Sequence, residues 1–158
     1  MRAFACTAAL LALTACAAPP PVVPPSAPEI VEHPPLTESL GDDCAVIAAV
    51  ARDHYRFNTT DNVPPPLWLD GEGSGWAPRC DWSRHGLSFP ATYEPDRPHQ
   101  PGDRVRWVSF KQPRYDGRGA VIKTGIMHGR LAGMGYECRV HSGVAGWTVG
   151  ECRNTWVS

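Results

Sequence analysis

Asp42-Asp43-Cys44-Ala45-Val46-Ile47-Ala48-Ala49-Val50-Ala51-Arg52-Asp53-His54-Tyr55 is the one strong helix candidate in the chain. Cys44, Ile47, Ala48, Ala51 and Tyr55 fall at i, i+3, i+4, i+7 and i+11, which places them on one face. Asp42 or Asp43 stands where a side chain caps the first turn and complements the helix dipole. Arg52 and Asp53 then turn toward water. Many of the residues in this segment are alanines, so the helix can lie close against a sheet.

Downstream of this helix the period changes to that of strands. Arg104 to Phe110 and Ala120 to His128 flank a turn containing Tyr115-Asp116-Gly117, and Asp-Gly is a strong turn signal. Tyr136 to His141 and Trp147 to Val157 flank the loop Ser142 to Gly146 and make a second hairpin. One helix followed by about four antiparallel strands predicts an α+β domain with a mainly antiparallel sheet. Between helix and strands, Pro64-Pro65-Pro66 and the glycines of residues 70–75 read as an irregular connection. Cys80 to Gly86 reads as about one helical turn ended by Gly86, and a proline-broken loop runs from Pro90 to Pro101. Loops this long in a domain this small need something to hold them down.

Cysteines are expected to do so. Of the six cysteines, Cys6 and Cys16 lie near the N-terminus, which leaves Cys44, Cys80, Cys138 and Cys152. None of these pairs has Cys-x-x-Cys spacing, which argues against zinc and for disulfides in an oxidising compartment. Four cysteines allow three connectivities. Cys138–Cys152 across the last hairpin and Cys44–Cys80 between helix and loop are the favoured pairs. By loop entropy they contribute roughly 3 and 4 kcal/mol.

Upstream of the helix, the chain changes character twice. Arg2 followed by the uncharged stretch Ala3 to Leu13 has the form of a secretory signal, too short to span a bilayer as a helix. It ends in Leu13-Thr14-Ala15-Cys16, which resembles the lipobox of bacterial lipoproteins. That resemblance implies a signal peptide over residues 1–15, lipid on the Cys16 thiol, and cleavage before Cys16. It also implies anchoring of the chain to a membrane of the bacterial envelope. Ala17 rather than Asp after the cysteine resembles cargo sent to the outer membrane, facing the periplasm. Eight of the 17 prolines fall between Pro19 and Pro35, so residues 16–36 read as an extended tether. At about 3.1 Å per residue, twenty residues reach roughly 60 Å. Residues 37–158 are then the single folded domain.

Chemistry is sparse in that domain. The net charge of −1 offers no field for nucleic acid. No nucleotide-binding, hydrolase-elbow or zinc-protease motif is present, and no cofactor or metal is expected. Asp81 and His85 would share a face in a helical turn and supply a small hydrolase with an acid–imidazole pair, but a third group is missing. Six tryptophans invite a sugar-stacking reading. Trp107, Trp147 and Trp156 lie in expected strands, where packing is their usual use. Trp68, Trp76 and Trp82 lie in or beside the loops with Asp70, Asp81 and His85, and they form the candidate binding surface. The C-terminal stretch, residues 129–158, resembles small bacterial envelope proteins ending in a Gly-rich turn, a Trp-x-Val hairpin and a closing Trp-Val-Ser. That resemblance implies architecture and no activity. The leading expectation is a non-catalytic envelope lipoprotein whose partner is an envelope protein or wall component. An inhibitor of a wall-degrading enzyme is its near relative.

Overall fold

A computed structural model describes residues 42–98 and 105–158. The expected signal segment, Cys16, the expected tether and Arg104 lie outside the described residues. The elements in chain order are α1 (Asp43–Ala49), a π-helical turn (Val50–His54), β1 (Leu67–Asp70), a 3-10 turn (Trp82–His85), β2 (Trp107–Lys111), β3 (Arg114–Tyr115), β4 (Gly119–Gly129), β5 (Ala132–Gly143) and β6 (Gly146–Val157). No helix among the described residues is long and apolar enough to cross a membrane.

The expected helix is present but departs from its expected form. Its α-helical part stops at Ala49, and residues 50–54 continue as a π turn. Tyr55 N–H donates to the Val50 carbonyl at 3.2 Å, five residues back. Arg56 then takes a left-handed backbone (φ 62°), and the Asn62 side-chain amide donates to the Tyr55 and Arg56 carbonyls that the helix leaves open. The helix is also buried more evenly than one apolar face suggests. Val46, Ala49 and Val50 are sealed as fully as Ile47, Ala48 and Ala51, because Phe57, Leu87 and the 3-10 turn pack with it in the same core. Arg52 and Asp53 do face water. Neither Asp42 nor Asp43 caps the first turn with its side chain. The Asp43 carboxylate is buried instead, accepting from Trp76 Nε1 at 2.7 Å and from the Tyr115 hydroxyl at 2.5 Å. Burial and that carboxylate together push the Tyr115 phenol far above its usual range.

The sheet has six strands where four were expected, in the order β1-β2-β4-β5-β6, with β3 beside β4. All pairs are antiparallel except β1 with β2. The stretch expected to be irregular therefore contains β1. Four residues between a proline run and a glycine run are too few to show a period, and only pairing with β2 makes them a strand. Hydrogen bonds from Leu67 N–H to the Ala91 carbonyl (2.8 Å) and from Tyr93 N–H to the Leu67 carbonyl (2.7 Å) cover its outer edge. The Asp116-Gly117 turn closes a tight β3–β4 hairpin, with Gly117 at φ 77°. Beyond Pro113, the longer β4 pairs with β2. The β5–β6 connection is also tighter than expected, since pairing continues to Gly143 and Gly146.

The helix covers one face of this sheet. Val108, Phe110, Ala120, Ile122, Cys138 and Val140 point into that core and are essentially sealed from solvent. Tyr55 joins the two layers: Thr124 Oγ1 gives its proton to the Ser109 carbonyl (2.6 Å), so the Tyr55 hydroxyl donates to Thr124 at 3.1 Å. Both disulfides are formed. Cys44–Cys80 ties α1 to the loop before the 3-10 turn, and Cys138–Cys152 joins directly opposed residues of β5 and β6.

Candidate functional site

The face of the sheet away from the helix carries the alternate residues of the same strands, and here the registers assemble a row. Trp68 is opposite Ser109, Ser109 opposite Gly125, Gly125 opposite Gly135, and Gly135 opposite Trp156. Two indoles thus end a line whose three middle members are among the smallest residues. The result is a groove of about 390 Å³ floored by Ser109 and Gly125, with Trp68 and Trp107 on one side and Trp156 on the other. Trp68 and Trp107 meet edge to face at 5.3 Å and both contact Tyr93.

Trp156 reaches this face through a β-bulge. Cys152 and Asn154 oppose Cys138 and Tyr136 on the helix side, so strict alternation would send Trp156 there too. Between Tyr136 and Gly135, however, β6 advances two residues for one on β5, and the extra residue re-aims Trp156 to the open face. Its indole then rests on the glycine backbone. A Cβ on Gly135 would collide with Nε1, and one on Gly125 would lie 3.0 Å from Cζ2. With one ring face on glycine, Trp156 remains 39% exposed.

A second row runs beside the first and is charged: Asp70 opposite Lys111, then Lys123, Glu137 and Arg153. Lys111 is held by Asp70 at 3.5 Å and by Glu72 at the rim. The Glu72 hydrogen bond, then the neighbouring Asp70 charge, hold its ammonium above the usual lysine range against some desolvation. Glu137 receives Arg153 at 2.9 Å and Arg114 at 4.0 Å. Lys123 has no ion-pair partner among the described residues, and this row with its rim carries four cations against three anions. Farther along the face, Asp116 takes both Arg139 Nη atoms, and that contact holds its carboxyl down to about 2.

The residues singled out from sequence do not all meet. Trp68 stands on the open face. Trp76 binds Asp43, and Trp82 meets Phe89 edge to face at 5.1 Å, both packed with the helix-side core. Asp81 precedes and His85 ends a 3-10 turn, where residues three apart are eclipsed and residues four apart diverge. The Asp81 carboxylate accordingly accepts from Ser83 Oγ (2.6 Å) and pairs with Arg84 at i+3 (3.2 Å); the Ser83 hydrogen bond is the main cause of its lowered pKa. The His85 carbonyl accepts from Arg52 Nη1 at 3.4 Å. Trp107 and Trp156, read as packing residues, instead wall the groove. No single strand signals this, because the row takes one residue from each of five strands.

His54, Cys138 and Cys152 bring potential metal-binding atoms within 4.8 Å of one another. The sulfurs are joined in the disulfide, so the thiolates a metal would need are not available. Burial among Tyr55, Tyr136 and this disulfide lowers the His54 pKa. No protein-family model matches the chain, and neither a curated protein nor a solved structure matches it.

Proposed function

We propose that this chain is a lipid-anchored lipoprotein of the bacterial envelope whose folded part is a non-catalytic module that binds a wall component through the open-face groove. The observation that carries the binding role is the Trp68–Ser109–Gly125–Gly135–Trp156 row, a preformed concavity with aromatic walls and hydrogen-bonding groups at its margin. Anchoring rests on Leu13-Thr14-Ala15-Cys16 and on the resemblance to lipoboxes. The two disulfides suit an exported protein. A hydrolase built on Asp81 and His85 gains no support from a turn in which Asp81 is engaged by Ser83 and Arg84.

The test has two arms. Mass spectrometry of the protein extracted from membranes should find acyl chains on Cys16, and Cys16→Ala should release the protein from the membrane fraction. The detergent-solubilised protein should cosediment with isolated wall sacculi. An unmodified Cys16 removes the anchor from the reading, and a protein that stays in the supernatant removes the wall.

A further inference from the structure

We infer that the groove takes a glycan strand bearing carboxylates, with Trp156 as the stacking platform and Lys123 as the partner of the carboxylate. This rests on the reading of the domain as a wall-binding module and specifies its ligand.

The main chain under the groove favours a sugar over a peptide. Every floor strand has a neighbour on both sides, so the floor offers no open edge for an added strand. An extended peptide would instead seek the long outer edge of β6. The groove offers flat apolar ring faces bordered by hydroxyl and charged groups. Those surfaces match a pyranose, which has apolar C–H faces and a rim of hydroxyls. Trp156 has one face set on glycine and part of its surface open to solvent, as a stacking platform requires. Across the groove, Trp68 and Trp107 supply the opposing wall. Four inter-strand steps of about 4.8 Å separate Trp68 from Trp156 along the sheet, roughly 19 Å. That leaves room for a short run of sugar units.

Charge narrows the class. Lys111 is already neutralised by Asp70 and Glu72, whereas Lys123, exposed on the adjoining strand and lining the same groove, is not. A ligand carrying a carboxylate beside its ring would supply the missing anion. An alternating N-acetylglucosamine and N-acetylmuramic acid strand free of stem peptides has that chemistry, since each unsubstituted lactyl group places a carboxylate next to a pyranose.

The experiment is calorimetric titration of the full chain in detergent with a muramic-acid tetrasaccharide carrying free lactyl carboxylates. Chitotetraose serves as its uncharged counterpart, tetragalacturonate as another acidic glycan, and free stem peptide as the peptide arm. The expected result is saturable binding of the muramyl sugar, with chitotetraose weaker by about tenfold, the size of one charge-assisted contact. Trp156→Ala should weaken both by at least about tenfold. Lys123→Gln, at an exposed site, should weaken muramyl binding by about tenfold and chitotetraose by much less, so that the gap between the two sugars closes. Equal binding of both neutral and muramyl sugars, or an unaltered Lys123→Gln profile, overturns the carboxylate assignment. Equal binding of tetragalacturonate overturns the commitment to wall glycan, and stem peptide bound in place of sugar overturns the glycan. If no sugar binds while sacculi still pull the protein down, the wall-binding module stands and this ligand assignment falls.

Discussion

The two faces of the sheet are built from alternate residues of the same strands, yet they are specified in different ways. The helix-side face is apolar and sealed: Val108, Phe110, Ile122 and Val140 belong to one buried cluster, and cores of this kind tolerate apolar swaps that conserve volume. The open face depends on single residues at single registers. Gly135 has no substitute under Trp156, and one bulge decides on which side that tryptophan stands. Stability is therefore concentrated on one face, and the proposed recognition on the other.

Substitution of a large aromatic on each face measures that contrast. Phe110 is fully buried, and Phe110→Ala should cost about 4 kcal/mol in urea unfolding. A loss of only about 1 kcal/mol would mean the helix-side core is loosely packed. Next in size comes Asp43, which satisfies two donors from distant parts of the chain. Asp43→Ala removes the charged acceptor of both Trp76 Nε1 and the Tyr115 hydroxyl and should cost about 3 kcal/mol. Trp156→Ala on the open face should cost less, about 2 kcal/mol, because the ring is only partly removed from water. If Trp156→Ala destabilises as much as Phe110→Ala, the open face is structural and the division between the faces fails.

This division also explains what was legible in the sequence. The helix and the long strands were, because Cys44, Ile47 and Ala48 in α1, Ala120 and Ile122 in β4, and Cys138 and Val140 in β5 recur at the period of their element. Parity of the four later cysteines indicated disulfides, and hairpin geometry favoured their pairing. The groove was not legible, since adjacency of Trp68, Ser109, Gly125, Gly135 and Trp156 is a property of register between strands far apart in the chain. Period-two counting even assigns Trp156 to the same side as Cys152, because an inserted bulge residue leaves no mark in composition. Asp81 and His85 illustrate a related limit: their spacing implies a shared face only at 3.6 residues per turn, and the turn that forms there is a 3-10 turn.

A pH titration probes the layer between the faces. His54 packs between Tyr55 and Tyr136, and burial makes the folded chain bind its proton less readily than the unfolded chain does. A depressed folded pKa contributes stability that is present above about pH 6.5, the unfolded value, and is lost as pH falls through the folded value. The urea midpoint should therefore drop between pH 7.5 and 5.5, and His54→Gln should flatten that slope. An identical slope in the variant would assign it to other groups.

The smallest expected effect is the most selective. Lys111 and Lys123 are neighbours in the charged row, but only Lys111 is engaged, by Asp70 and Glu72. Lys111→Gln should cost up to about 1 kcal/mol, as expected for a half-exposed ion-pair cluster, and the cost should shrink in high salt. Lys123→Gln should change stability by less than about 0.5 kcal/mol. The repulsion it relieves beside Lys111 and the attraction it loses to Glu137, directly opposite on β5, offset each other. The difference between the two variants separates a cation that holds the sheet together from one left available on its surface. A loss above about 1 kcal/mol for Lys123→Gln would show that its charge is already used within the fold, and the open face would then have no uncompensated cation to offer a ligand.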